Sequence, residues 1–253
     1  MNTDNIAIVL GGGAARGAFH LGVLDFCEQH NIEIQAYSGS SIGAIISASH
    51  ASGIKASEQL KIFKSKDVRQ ALKFNYFKNG LLKIDTSNKI IKEILPIERI
   101  EDIPKPIWVN AYDLKKRELH YFNEGNTITL CMASSALIPL FRPISYEHMY
   151  LIDGGLFDNL PIKPLEDKNY DIHTLDLFAK NKISEKKRIN PMSYIKKTML
   201  KQLHINHKYT LEKTNHYLGS QFIQEFSLFT FKEIDDCFKL GFKEAQKHFL
   251  DIL

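Results

Sequence analysis

The chain has 253 residues, of which 44% are hydrophobic and 25% charged, a composition typical of a globular protein with a well-buried core. Its net charge of +4 is too small to indicate nucleic-acid binding by itself, and its three widely spaced cysteines argue against a disulfide framework or a zinc site. No apolar run approaches the roughly 18 residues that a membrane-spanning helix needs, and the N-terminus lacks the pattern of a secretory signal. These properties predict a cytoplasmic protein, and they leave peripheral attachment to a membrane open.

The first fifty residues alternate between strand and helix patterns. Ile6 to Leu10 is an apolar run that stops at a glycine, and Ile32 to Tyr37 is a second predicted strand. Ala14 to His30 has apolar residues at helical spacing, and Ile42 to Ala51 is a small, apolar helix. This alternation predicts a three-layer α/β fold, in which helices cover both faces of a mostly parallel central sheet.

The rest of the chain divides near residue 180. Before it, we predict helices with breaks over 55–95 (including Thr86 to Leu95), strands at Ile107 to Tyr112 and Glu118 to Phe122, a helix from Thr127 to Leu137, a strand at Tyr150 to Ile152, and Asp171 to Phe178 as the last strand of the main sheet. After it, we predict a long helix from Ser193 to Leu218, a strand at Phe222 to Leu228 and a helix from Asp235 to Leu250. We therefore expect a single domain over 1–253, with a motif-bearing core at 5–178 and a basic, largely helical extension at 180–253.

The segment 180–213 carries ten Lys and Arg residues and two Glu residues, a formal charge of +8. Such a segment suits an anionic membrane surface, and a solvated helical face explains the same charges. It lacks the aromatic side chains on which nucleic-acid bases stack, so no nucleic acid is expected as a partner. The oligomeric state is not predicted.

Gly39-Ser40-Ser41-Ile42-Gly43 has the Gly-x-Ser-x-Gly pattern of a nucleophile elbow. A strand precedes it and a helix follows, as that pattern requires. Gly39 and Gly43 leave room where the strained turn meets its neighbours, and the helix N-terminus favours negative charge beside Ser41. An ordinary N-cap serine in a tight turn is the alternative.

Leu10 is followed by Gly11, Gly12 and Gly13, and then by Ala14-Ala15-Arg16-Gly17. Consecutive glycines let backbone N–H groups form an anion-binding nest, which suits an oxyanion hole or a dinucleotide pyrophosphate. The dinucleotide fingerprint G-x-G-x-x-G fails because Arg16 stands at its last glycine, although Glu33 is available as a ribose-binding acid. Arg16 near a helix start suggests a specific partner: a carboxylate that braces the loop or an anionic substrate group. A solvated Arg16 explains the sequence equally well.

A serine nucleophile needs a general base. None of the ten histidines lies at a strand end beside a glycine turn, and His204 and His207 have no companion acid that would make a metal site. Asp153 ends an apolar strand and precedes Gly154 and Gly155, which places a carboxylate at the sheet edge where ligands bind in open α/β folds. The alternative is an ordinary Asp-Gly turn.

Together, these motifs resemble those of the patatin-like phospholipases, particularly the short bacterial members. The match consists of the glycine run with Arg16 and Gly17, the elbow at Ser41, and Asp153-Gly154-Gly155, in the order of the family. Ala133 to Ala136 and Asn159-Leu160-Pro161 also resemble its pattern, whereas Cys131 and Leu140 depart from it. The resemblance covers roughly residues 5 to 178.

The resemblance implies a Ser–Asp dyad, with Ser41 as nucleophile and Asp153 as proton acceptor. Gly11, Gly12 and Gly13 would supply the oxyanion hole, Arg16, Gly17, Gly39, Gly43, Gly154 and Gly155 would support the motifs, and no metal or cofactor would be required. The expected function is hydrolysis of phospholipid or lysophospholipid acyl esters through an acyl-serine intermediate. A dinucleotide-binding oxidoreductase and a catalytically silent patatin-like binding module are the alternatives.

Overall fold

The computed structural model describes residues 5–65, 89–179, 207–228 and 232–250. Within them, one mixed sheet of eight strands forms the centre of the molecule. The strands are β1 (Ile6–Leu10), β2 (Ile34–Gly39), β3 (Ile107–Asp113), β4 (Glu118–Phe122), β5 (Ile144–Tyr146), β6 (Met149–Asp153), β7 (Asp171–Asp176) and β8 (His216–Gly219). Their order is β5-β6-β3-β2-β1-β7-β8, and β4 pairs with β3.

The parallel half of the sheet runs from β3 through β2, β1 and β7 to β8, and the strands on its other side are antiparallel. All five residues of β1 are buried, because β1 lies at the centre with both faces covered. This arrangement confirms the predicted α/β fold with its mostly parallel central sheet.

Seven α-helices accompany the sheet within the described residues: α1 (Gly17–Gln29), α2 (Ile42–Ala51), α3 (Ala56–Lys64), α4 (Lys89–Ile94), α5 (Thr127–Ser134), α6 (His207–Lys213) and α7 (Ile234–Leu250). A large apolar core lies between the sheet and α1, α2, α5 and α7. A smaller cluster on the other face includes Val9, Ala36 and Ile162. There Thr210 of α6 donates to the Leu160 carbonyl, so helical structure covers this face too.

The helix predicted from Ser193 to Leu218 is wrong at its C-terminal end. Residues 193–206 lie outside the described residues, and α6 ends at Lys213. The chain then turns, since Asn215 donates its N–H to Ile172 and its side chain accepts the N–H of Ile172. These bonds dock His216–Gly219 against β7 as β8, so β7 is not the last strand of the sheet.

The strand predicted from Phe222 to Leu228 is also wrong. Gln221–Glu225 forms a 3-10 helix, which begins where the Ser220 hydroxyl accepts the N–H of Phe222. The carbonyls of Gln224 and Phe226 accept hydrogen bonds from Arg16 rather than from a strand. An apolar run alone does not distinguish a strand from a 3-10 helix here, because the conformation depends on contacts with Arg16, which is distant in sequence.

Most other predicted elements are confirmed with shifted ends. The helix expected from Thr127 to Leu137 ends at Ser134. The predicted Thr86–Leu95 helix is described only from Lys89, because residues 86–88 lie outside the described residues. Within the described residues, no helix has both the length and the apolar character of a membrane span.

Candidate active site

The carboxyl ends of β1, β2 and β7 meet at one edge of the sheet, because these strands are parallel neighbours. Gly11 follows β1, and Ser40 follows β2. The antiparallel strand β6 delivers Asp153 to the same region by pairing with β3. The topology therefore assembles the three sequence motifs into one candidate site.

Ser41 lies in a strained turn between β2 and α2. Its φ of 53° and ψ of −124° are rare for a residue with a side chain, and such strain persists only where surrounding contacts impose it. Gly39 and Gly43 allow this turn: a Cβ on Gly43 would lie 2.0 Å from the Leu10 carbonyl oxygen, and one on Gly39 would lie 2.7 Å from Ala44. The turn is thus a nucleophile elbow in its backbone geometry.

The Ser41 backbone is fixed by a residue to which the sequence assigned no role. Its N–H donates to Ser134 Oγ at 2.8 Å, and Ser134 Oγ in turn lies 3.4 Å from Asn110 Oδ1. Ser134 belongs to the Ala133–Ala136 stretch of the family resemblance, but nothing in that pattern indicates this contact.

Asp153 is buried, with 4% of its surface exposed. Burial raises the pKa of its carboxyl from 3.8 to about 7, and hydrogen bonds from the Gly155 N–H and the Ser41 side chain oppose part of that rise. Asp153 Oδ1 accepts the Gly155 N–H at 2.8 Å, which orients the carboxyl. A carboxylate with a pKa near neutrality, in hydrogen-bonding contact with a serine hydroxyl, is suited to accept its proton.

The three glycines of the predicted oxyanion hole use their N–H groups differently. The Gly11 N–H donates to the Leu175 carbonyl of β7, and the Gly12 N–H donates to Asn159 Oδ1 at 3.2 Å. Within the described part of the chain, the Gly13 N–H has no hydrogen-bond acceptor. Gly11 therefore attaches the loop to the sheet, which leaves Gly13, and Gly12 where an oxyanion replaces or shares its bond to Asn159, as candidate donors to an oxyanion.

Asn159 aligns the glycine loop with the elbow. Its Oδ1 accepts the Gly12 N–H, and its Nδ2 donates to the Gly12 carbonyl oxygen at 3.4 Å. A Cβ on Gly12 would lie 2.7 Å from Asn159 Oδ1 and 3.0 Å from the Ser41 Cβ. Glycine at position 12 is thus required by this close approach.

Arg16 braces the loop through backbone carbonyls instead of the carboxylate or substrate anion considered from the sequence. Its guanidinium donates to the carbonyls of Leu177, Gln224 and Phe226 at 3.2, 3.3 and 2.9 Å. Gly17 follows it, and a Cβ there would lie 2.6 Å from the Ile42 side chain. These contacts join the start of α1 to the C-terminal segment and to the helix that follows the elbow.

The geometry does not favour the dinucleotide alternative. Glu33 precedes β2 and therefore lies at the sheet edge opposite the glycine loop, where it pairs with Lys105. A ribose-binding acid belongs at the carboxyl end of that strand, beside the loop.

His20 is the histidine placed beside the glycine loop, and its Nε2 bonds the Gly11 carbonyl at 2.8 Å. Full burial lowers its pKa to about 4. Burial raises the pKa of Asp153, hydrogen bonds from Gly155 and Ser41 lower it, and no described histidine contributes to the shift. His20 therefore holds the Gly11 carbonyl of the glycine loop and does not hydrogen-bond the Asp153 carboxylate.

A serine elbow on an α/β sheet, next to a glycine loop and a buried aspartate, defines a class of α/β proteins with a nucleophile-elbow site. The sequence profile described as patatin-like phospholipase matches residues 8–166. The chain therefore belongs to the patatin-like phospholipase family.

Similar proteins include an uncharacterized NTE family protein of Mycobacterium tuberculosis, 27% identical over 173 residues, which are 68% of this chain and 48% of that protein. The lysophospholipase NTE1 of Coccidioides immitis is 29% identical over 174 residues, which are 66% of this chain and 11% of that protein. The chain thus spans about half the length of the mycobacterial relative and about a tenth of the fungal one.

Two solved structures share the fold. VipD from Legionella pneumophila gives a TM-score of 0.64 at 14% identity, over 98% of this chain and 67% of that one. The type III effector ExoU gives a TM-score of 0.53 at 14% identity, over 97% of this chain and 53% of that one. At this identity the similarity shows the architecture alone.

Proposed function

We propose that this protein hydrolyses the acyl esters of phospholipids or lysophospholipids, with Ser41 as nucleophile and Asp153 as general base. The observation that carries the proposal is the buried Asp153 carboxyl, whose pKa is raised to about 7 and which hydrogen-bonds the side chain of a strained elbow serine. Family membership supports a lipid acyl ester as substrate. The fungal relatives named lysophospholipases support the phospholipid class.

In the first half of the proposed reaction, ionised Asp153 accepts the hydroxyl proton of Ser41 as Oγ attacks the ester carbonyl. The carbonyl oxygen becomes an oxyanion, to which the N–H groups of Gly12 and Gly13 donate. When this intermediate collapses, the bond to the alcohol breaks and Asp153 returns the proton to the leaving oxygen. The glycerol-bearing product departs, and the acyl chain remains as an ester on Ser41.

In the second half, Asp153 accepts a proton from water as the water oxygen attacks the acyl carbonyl. The same N–H groups stabilise the second oxyanion. Its collapse breaks the bond to Ser41 Oγ, which regains the proton from Asp153, and releases a fatty acid. Every proton passes through one carboxyl, so neither a histidine, a metal nor a cofactor takes part in this scheme.

The test combines a fluorophosphonate probe with hydrolysis of lysophosphatidylcholine and of a short-chain ester. We expect the unaltered protein to be labelled and to hydrolyse at least one substrate. Ser41→Ala should lose labelling and at least about a thousand-fold in kcat/KM, and Asp153→Asn should lose a similar factor because the serine then lacks its base.

Ser52→Ala is the matched control, because Ser52 caps the other end of α2, where its hydroxyl donates to the Ala48 carbonyl. It should keep both labelling and hydrolysis. Labelling that persists in Ser41→Ala would overturn the assignment of the nucleophile. A well-folded protein that neither labels nor hydrolyses would support the silent binding module, and one that instead binds a nicotinamide cofactor would support the oxidoreductase.

We also propose peripheral contact with anionic membranes through 180–213, of which the structure describes only 207–213. The support is the charge of +8 in that segment, since each suitably placed basic residue contributes about 1 kcal/mol near an anionic surface. The protein should sediment with phosphatidylserine-containing vesicles at low salt and not with neutral ones. Equal sedimentation with both would contradict the proposal.

A further inference from the structure

A second group of chemically active side chains lies at the N-terminal ends of the parallel strands, whereas Ser41 follows the C-terminal end of β2. Asp171 and His173 are two residues apart at the start of β7, so they point to the same face of the sheet. In the parallel register, His216 of β8 stands directly beside His173. The strand pairing therefore brings a carboxylate and two imidazoles together from segments that are distant in sequence.

The ligand atoms of these three residues all lie within 4.8 Å of one another. Asp171 Oδ1 is 3.3 Å from His216 Nε2, and Asp171 Oδ2 is 3.6 Å from His173 Nε2. Atoms that bind a tetrahedral zinc ion at about 2.0–2.1 Å lie about 3.3 Å from one another. Two of the three spacings are thus close to those of a coordinated ion.

His173 provides an independent sign of a ligand. It is 1% exposed, and its Nε2 is buried without a hydrogen-bond partner among the residues that the structure describes. Its Nδ1 lies 2.9 Å from His248 Nε2 on α7. A histidine that binds a metal through one nitrogen commonly bonds a neighbour through the other, which fixes the ring, and His248 occupies that position.

We propose that Asp171, His173 and His216 bind a divalent transition-metal ion of the zinc class, with His248 orienting His173. Two imidazoles and one carboxylate suit zinc better than calcium or magnesium, which prefer oxygen ligands. Asp171 and His216 are partly exposed, at 17% and 14% of their side-chain surfaces, which provides entry for the ion and room for a water ligand.

The ion would tie β7 to β8 and, through His248, to the C-terminal end of α7. It would act on the stability of the fold, because the site is at the opposite edge of the sheet from Ser41. The proposal is therefore independent of the ester hydrolysis proposed above.

The test uses the full chain without an affinity tag, stripped with a chelator and then titrated with zinc or cobalt(II). We expect one zinc per chain, a higher Tm with zinc, and the visible absorption bands of tetrahedral cobalt. His216→Gln and Asp171→Asn should each weaken zinc binding by at least about a hundredfold. His248→Gln should weaken it by about 10- to 100-fold, as expected for a residue that orients a ligand.

His120→Gln is the matched control. His120 is also a strand histidine near a carboxylate, Glu118 at 3.9 Å, but it belongs to no three-ligand group among the described residues. It should bind zinc as the unaltered protein does. No zinc binding by the folded, unaltered protein, or binding that His216→Gln and Asp171→Asn leave unchanged, would overturn the proposal. Because binding and Tm are measured directly, the result does not depend on whether the protein hydrolyses esters.

Discussion

At the scale of single residues, burial determines how Asp153 behaves. Its pKa of about 7 means that only part of the population is ionised at neutral pH. As the proposed general base, Asp153 must be ionised, so kcat/KM for ester hydrolysis should rise with pH and level off above about 7. Measurement of kcat/KM from pH 5 to 9 checks this.

The same profile distinguishes Asp153 from His20. If His20 were the base, its pKa of about 4 would place the rise near pH 4. His20→Gln should therefore leave the midpoint of the profile near 7, even where the rate itself falls. A midpoint that disappears or moves in this variant would contradict the assignment of the base.

The stability of the protein should report the same carboxyl. The folded pKa of about 7 exceeds the ordinary value of 3.8, so the native state binds more protons than the unfolded state between these pH values. The contribution of Asp153 to stability is therefore greatest below about pH 4 and is lost as the pH rises to about 7. Asp153→Asn does not titrate, so its unfolding free energy minus that of the unaltered protein should grow from pH 4 to 7 and then level off. Denaturation in urea at several pH values measures this difference in unfolding free energy. A difference that does not change with pH would refute the expectation.

Arg16 shows how a single side chain couples distant segments. Its planar guanidinium reaches the carbonyls of Leu177, Gln224 and Phe226 at once, which the single ammonium of lysine does not reproduce. Arg16→Lys should lower the unfolding free energy by about 1–3 kcal/mol. Urea denaturation measures the loss. Arg99→Lys, an exposed arginine paired with Glu101, should change it by less than about 0.5 kcal/mol, and equal effects of the two variants would argue against the brace.

At the scale of secondary-structure elements, close packing of α1 on α7 depends on two glycines. A Cβ on Gly241 would lie 2.0 Å from the Phe19 carbonyl oxygen, and one on Gly22 would lie 2.0 Å from that of Phe238. Either contact requires the helices to separate. The backbones of α1 and α7 are therefore in direct contact at both glycines, with no side chain between them.

Gly241→Ala should destabilise the protein by about 1–3 kcal/mol or more, although alanine is the better helix former. Thermal and urea denaturation measure the effect. Gln246→Ala is the control on the exposed side of α7 and should stay within about 0.5 kcal/mol of the unaltered protein. If Gly241→Ala were as stable as the control, the close crossing would be wrong.

At the scale of the whole molecule, the motif-bearing core predicted at 5–178 depends on the segment that follows it. β8 extends the sheet beside β7, and Phe242 and Phe249 of α7 pack against Phe26 of α1. The carbonyls that Arg16 binds also include two from this segment. A chain cut after residue 178 would expose the apolar face of α1 to water.

We therefore expect a fragment of residues 1–178 not to unfold cooperatively, whereas a chain that ends at Leu250 keeps α7 and should behave like the full chain. Circular dichroism with a urea titration measures this. A cooperative transition in the 1–178 fragment would show that the core folds without β8 and α7.

The sequence alone predicts the alternating strands and helices, the elbow at Ser41 and the strand that ends at Asp153, because these depend on local periodicity and on glycines at fixed spacing. The place of Asp153 beside the elbow depends instead on the antiparallel pairing of β6 with β3. The resemblance to the patatin-like phospholipases joins them into one candidate site. Local patterns fail for β8 and for the 3-10 helix at Gln221–Glu225, where contacts with Ile172 and Arg16 decide the backbone conformation.

Only the tertiary structure decides which groups each side chain meets. Burial by the assembled sheet raises the pKa of Asp153, and strand pairing brings His173 beside His216. Arg16 meets carbonyls rather than a carboxylate because the C-terminal segment folds back over the glycine loop. Desolvation and contacts between distant residues arise when the chain is packed, so no local pattern in the sequence contains them.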